Sequence, residues 1–178
     1  GVPERVGPKV LNRPHSIVAD VEIPRGGAEG VLFCHGSMIG GYSLFVLGRR
    51  LHYAYNYVGA REFMVSSRDL IPDGRLELRF EFELTGNPDV RRGKGAPGRA
   101  QLYFEDRLVA QGDIPLTMPF TIGAGSLLFC GQASASPITK AYGGFFPFTG
   151  TIRQVTVDLS GELIQDDEAT MRAVLARQ

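Results

Sequence analysis

A chain of 178 residues, 43% of them hydrophobic, amounts to one domain and can bury roughly 70% of its unfolded surface without a metal or a disulfide framework. Nineteen Lys and Arg balance nineteen Asp and Glu, and a net charge of zero argues against general affinity for nucleic acid or an anionic membrane, local patches aside. No apolar run approaches the ~20 residues of a membrane span, and the opening GVPERVGPKV lacks a signal-peptide pattern.

A soluble chain is therefore expected, cytoplasmic in preference. It begins with Gly1 rather than Met, which reads as a processed product or an excised piece. HSIVADVEI places Ile17, Ala19, Val21 and Ile23 on one face and Ser16, Asp20 and Glu22 on the other, and Pro24 ends the strand. GVLFCHG, YSLFVL and LHYAYNYV follow as a β-meander. In the last of these, Leu51, Tyr53, Tyr55 and Tyr57 share a face that is either core or a stacking platform. The opposite face, His52, Ala54 and Asn56, is small and polar, so the reading favours Tyr53 and Tyr55 buried and Tyr57 near the surface.

RLELRFEFEL alternates Leu76, Leu78, Phe80, Phe82 and Leu84 with Arg75, Glu77, Arg79, Glu81 and Glu83, one face core and the other solvated. Its ELRFE run resembles the acidic strand of sandwich glycosidases, but Arg79 occupies the middle position. The α-carbons of Glu77 and Glu81 would lie roughly 13 Å apart, against the ~5 Å between carboxyl groups that a retaining enzyme needs. A basic connection with Arg91, Arg92, Lys94 and Arg99 precedes a hairpin of AQLYFE and RLVAQG, and LLFCG and TIRQVTVDL supply the last strands. DDEATMRAVLARQ reads as a helix. The whole is all-β: an antiparallel β-sandwich or jelly roll, one domain over 1–178, with an extended segment at 1–14 and a short C-terminal helix at 165–178.

The chemistry-bearing residues are sparse. His15, His35 and His52 lack metal-ligand spacing, and two cysteines are too few for a zinc site or a disulfide scaffold. Cys34 and Cys130 lie in apolar runs without a neighbouring Lys or Arg, so buried inert thiols are expected in preference to a mutual disulfide or a reactive thiol. AYGGFFPFTG is too apolar for an idle loop. Phe148 is expected to enter the core, leaving Phe145 or Phe146 for a docking patch.

The run from Asn12 to Gly59, then LRFEF, FPFTGTIRQVTVDLSGE and the terminal helix, resembles the C-terminal domain of bacterial formylglycine-dependent arylsulfatases. The resemblance implies a concanavalin A- or laminin-G-like jelly roll serving as a non-catalytic accessory domain. Such a domain would dock on a sulfatase catalytic domain in the same parent chain and shape its substrate entrance. The family's nucleophile motif, Cys-x-Pro-x-Arg, is absent: Cys34 precedes His-Gly-Ser-Met and Cys130 precedes Gly-Gln-Ala-Ser. Calcium and formylglycine are thus expected only in the parent catalytic domain, with no cofactor, metal or catalytic residue in this chain. The alternative is a laminin-G-like module for a carbohydrate or other ligand, with His52, Asn56 and Tyr57 as candidate binding residues. Phe145 and Phe146 are then candidates for docking, and Arg91, Arg92, Lys94 and Arg99 for electrostatic guidance of anionic substrates. Nucleic acid and membrane are not expected as partners.

Overall fold

The structure, a computed structural model, describes residues 1–122 and 126–164. Its strands are β1 (Val2–Pro3), β2 (His15–Ile23), β3 (Gly30–Ser37), β4 (Gly40–Leu47), β5 (Arg50–Tyr57), β6 (Arg61–Ser66), β7 (Gly74–Leu84), β8 (Gly98–Phe104), β9 (Arg107–Ile114), β10 (Leu127–Cys130) and β11 (Thr151–Asp158). They form two antiparallel sheets, one ordered β1-β10-β3-β4-β5-β6 and the other β11-β2-β7-β8-β9. The all-β sandwich expected from the alternation is what the chain forms. The predicted helix at 165–178 lies outside the described residues, and no helix among those described is long and apolar enough to cross a membrane.

The core follows from the period of two. Ile17, Ala19, Val21 and Ile23 of β2 and Leu76, Leu78, Phe80 and Phe82 of β7 face Leu44, Val46, Leu51, Tyr53 and Tyr55 across the sandwich. Tyr53 stacks on Phe80 with ring centroids 3.9 Å apart, and each such buried ring contributes about 1.5–3 kcal/mol. The tyrosine row is thus core at Tyr53 and Tyr55, and Tyr57 is half-buried at its end.

Two faces expected to be open are covered. Residues 131–148 fold back over the outer face of the six-stranded sheet, making a second cluster from Val31, Cys34, Phe45, Ala54, Ala133, Ile138 and Tyr142. Phe45 and Val31 are the cause, since their apolar side chains point away from the main core and need a cover of their own. The Tyr142 hydroxyl donates to Ser43 Oγ at 2.8 Å, and its ring meets Phe45 edge-on at 5.0 Å. Ala54 and Asn56, read as part of a polar surface, are buried beneath this segment.

Gly30 makes the close approach possible: its φ is +121°, and a Cβ there would lie 2.1 Å from the Pro147 carbonyl oxygen. Backbone bonds from Val31 N to Phe146 O (3.0 Å) and from Thr149 N to Glu29 O (2.8 Å) complete the seam.

On the five-stranded sheet, the charged face of β7 is solvated at Arg75, Glu77 and Glu83 but not at Glu81. Glu81 is fully buried, accepts from Arg79 Nε at 2.8 Å and receives the Ile164 N–H at 2.9 and 3.1 Å where the chain crosses it. Its cross-strand neighbours Ser16 and Gln101 are buried with it. The thiols differ as well. Cys34 is buried and Cys130 is exposed, both free, and burial pushes the Cys34 thiol up to about 12, which makes it inert. The expectation of two buried thiols therefore holds for Cys34 only.

Candidate functional site

One end of the sandwich gathers the turns β3–β4 and β5–β6 and the connections 85–97 and 115–122. It is knit together by side chains that reach between these segments. Asn12 Nδ2 donates to Pro119 O at 2.8 Å, while Asn12 Oδ1 accepts from Ala96 N at 2.7 Å. The Tyr55 hydroxyl, at the end of the core row, accepts from Met118 N at 2.9 Å. Gly95 N donates to Thr117 O at 2.7 Å.

Tyr57 is the residue that carries this end toward solvent. Its hydroxyl donates to Gly93 O at 2.8 Å, which sets the ring against the turn bearing Arg91, Arg92 and Lys94. Those three cations are exposed. Arg92 lies 3.6 Å from Asp89, a separation at which an exposed pair is weak. Among the described residues, neither Arg91 nor Lys94 has an ion-pair partner. An aromatic edge beside cations whose charge is largely uncommitted can hold an anionic group and pack the ring or chain that bears it.

The other candidates sit elsewhere or are already engaged. Asn56 donates to Ile138 O (2.8 Å) and Met38 O (3.1 Å) and accepts from Gly59 N (2.8 Å), so its amide latches two turns to the covering segment. His52 is five residues from Tyr57 along β5, roughly 16 Å at strand rise. Its ring stacks on Phe45 at 5.1 Å and its nitrogens contact Ser66 Oγ at 2.7 Å and Leu47 O at 2.9 Å. Burial lowers its pKa. Arg99 belongs to β8 and pairs with Asp113 at 3.5 Å, apart from the turn of Arg91, Arg92 and Lys94. Phe145 is 67% exposed, whereas Phe146 is half-buried and stacks on Tyr142 at 5.2 Å.

Sequence reasoning missed the apolar residues of this rim. Met38, Ile39, Val58 and Phe120 are 52–71% exposed, and each looked like an ordinary turn residue or the end of a strand. The run SMIGG was the available signal, two large apolar residues where a hairpin turn usually carries polar ones. Among the described residues no three of His, Cys, Asp and Glu gather as a metal-ligand set.

The fold is one already seen in solved structures. The chain superposes on the CBM40 of the Ruminococcus gnavus IT-sialidase, a structure bound to α2,3-sialyllactose, with a TM-score of 0.57 and 14% identity over 89% of this chain and 80% of that one. It superposes on mouse laminin α1 domains LG4–5 with a TM-score of 0.62 and 13% identity, over 93% of this chain and 40% of that one. A NanB structure gives 0.57 and 12%, over 92% of this chain and 24% of that one. The chain is therefore a laminin-G-like β-sandwich. No protein-family model and no curated protein matches the sequence.

Proposed function

We propose that this chain is a non-catalytic binding module for an anionic carbohydrate, taken at the rim where Tyr57 meets Arg91, Arg92 and Lys94. The observation that carries the reading is the Tyr57–Gly93 hydrogen bond, which joins an aromatic edge to exposed cations from a part of the sequence 36 residues away. The fold supports it, being shared with a sialidase domain solved with an acidic trisaccharide. The test is titration calorimetry with sialylated or sulfated oligosaccharides against their neutral parents. Binding restricted to the acidic forms, weakened by salt and lost in the Arg91→Ala, Arg92→Ala, Lys94→Ala triple variant, is expected. Equal affinity for neutral sugars, or indifference to the triple variant, overturns it.

A second reading keeps the arylsulfatase resemblance: an accessory domain docked on a catalytic domain of the same parent chain. Phe145, 67% exposed on the covering segment, favours it as a contact side chain. In that case the native reading frame upstream of Gly1 encodes Cys-x-Pro-x-Arg. Phe145→Ser then loosens the two domains of the parent, measured by limited proteolysis at their junction. An upstream frame without that motif removes this reading.

A further inference from the structure

The rim carries more exposed apolar surface than a sugar site uses. Met38 and Ile39 at the β3–β4 turn are 61% and 59% exposed, Val58 at the β5–β6 turn 52%, Phe120 71%, and Val90, beside the cations, 40%. They occupy different turns, yet the turns touch. A Cβ on Gly59 would lie 3.2 Å from the Met38 carbonyl oxygen, and one on Gly40 would lie 2.9 Å from Met118 Sδ. Phe120 follows Pro119, whose carbonyl is held by Asn12. Aliphatic tips such as Met and Ile offer a sugar ring no stacking face. Leaving four or five of them in water at one end of a domain marks a contact surface.

Val58 adds a second, independent sign. It stands at φ 47°, in the left-handed region that a β-branched residue adopts only under strain and that Gly or Asn would occupy freely. The strain holds a bulky apolar side chain out at the tip of a turn, with Gly59 beside it. Such outliers gather at functional surfaces.

The charges select the occupant. Arg91, Arg92 and Lys94 flank the apolar tips, with Arg61 at the foot of the β5–β6 turn, all exposed. The nearby acids keep their charge, though each is held in place by a partner. Glu62 bonds Thr139 Oγ1 and Lys140 N, and Glu4 bonds Thr121 Oγ1, Ile122 N and Ser126 Oγ. Asp89 faces Arg92. The result is a set of protruding apolar tips beside four exposed cations that outnumber these three carboxylates by one, on a chain of zero overall charge.

We propose that this end of the sandwich docks on a lipid bilayer bearing anionic headgroups, with Met38, Ile39, Val58 and Phe120 entering the headgroup boundary and Arg91, Arg92 and Lys94 meeting the phosphates. Apolar side chains gain by leaving water for the acyl boundary, and cations gain from the negative surface potential. The module then works at a membrane surface, where headgroup phosphates and an acidic sugar compete for the same three cations. This goes beyond carbohydrate binding and does not depend on it.

The experiment uses the full chain and vesicles that contain no sugar: phosphatidylcholine alone, and phosphatidylcholine with phosphatidylserine. The chain has no tryptophan, so Phe120→Trp supplies a single reporter at the tip. Expected are co-sedimentation with the phosphatidylserine vesicles only, a blue shift of the reporter, and its quenching by lipids brominated in the acyl chain. Neutralising Arg91, Arg92 or Lys94 should weaken binding about fivefold per cation. Met38→Ser with Ile39→Ser should remove the blue shift, and being exposed these positions leave the fold intact, as circular dichroism will register. An unshifted or unquenched reporter, or equal binding to phosphatidylcholine alone, overturns the proposal. So does a concentration-dependent dimer that the serine substitutions abolish, which would assign the tips to a second copy of the chain. Acidic sugars bound without vesicle binding would sink this inference alone, and vesicle binding without sugar binding would sink only the carbohydrate reading.

Discussion

His15 gives the sharpest test of how the interior is built. It is 4% exposed, its ring lies 5.7 and 5.4 Å from those of Phe80 and Phe82, and its Nδ1 contacts Arg13 O at 2.9 Å. His15 lines a cavity of about 20 Å³ together with Tyr42, Tyr53, Tyr55 and Thr117. Among the described residues, neither His15 Nε2 nor the Tyr42 hydroxyl has a hydrogen-bond partner. A cation here would sit among aromatic rings with no counter-charge, and burial lowers the pKa from 6.5 to about 4, with the nearby Arg13 charge acting in the same direction.

In the unfolded chain the same imidazole titrates near ~6.5. Between these values the unfolded state binds a proton that the folded state refuses. The contribution of His15 to stability is therefore intact above pH 6.5 and lost as pH falls through about 4. The loss is about 2 kcal/mol at pH ~5 and approaches about 3 kcal/mol below pH ~4. Urea unfolding of the wild type and of His15→Phe, which keeps an aromatic ring without a titrating nitrogen, should show the wild type losing about 2 kcal/mol more than the variant between pH ~7 and ~5, because carboxylate terms common to both cancel. Curves that stay parallel from pH ~7 to ~4.5 would refute the account and require His15 to accept a proton in the folded protein.

The covering segment should respond unevenly. Phe145→Ser should leave the melting temperature of the isolated chain nearly unchanged. Phe148→Ala, whose ring packs on the main core but is only half-buried, should cost about 2 kcal/mol, less than a fully buried ring. Phe146→Ser should fall between them. Equal loss for all three in thermal melts would make the segment uniform core. Gly30→Ala should cost more than about 2 kcal/mol, from a strained φ and displacement of the Pro147 backbone, and should raise amide exchange at Val31 and Thr149. Unchanged exchange there would mean that the seam tolerates the methyl. The isolated chain should not hydrolyse aryl sulfates with or without calcium, having no formylglycine precursor, and turnover above a heat-killed control would contradict this.

Much of the sandwich could be read from alternation alone. His15–Ile23 and Gly74–Leu84 stand within one residue of their expected bounds, because an amphipathic strand between a core and water writes its period into the sequence. β6 went unread because REFMVS lies at the sheet edge, its residues largely exposed, and an edge strand need not alternate. What the sequence did not disclose is non-local. Glu81 looked solvated because its cover comes from Ile164, and Ala54 looked exposed because its cover comes from residues 131–148. The cations of the rim were visible as a basic loop. Their meeting with Tyr57 depends on a hydrogen bond to a backbone carbonyl, which leaves no mark on residue type.

The segment that lies over the six-stranded sheet also decides how the domain can face its surroundings. With that sheet's broad side occupied by Tyr142, Ile138 and Ala133 and the middle of the other crossed at Glu81, neither flat side is free at its centre for a long polymer to lie along. A ligand taken at the narrow end would therefore be met by a domain standing upright on it. Such a domain would read termini, short branches or headgroups rather than chains, and many copies could crowd side by side on one surface.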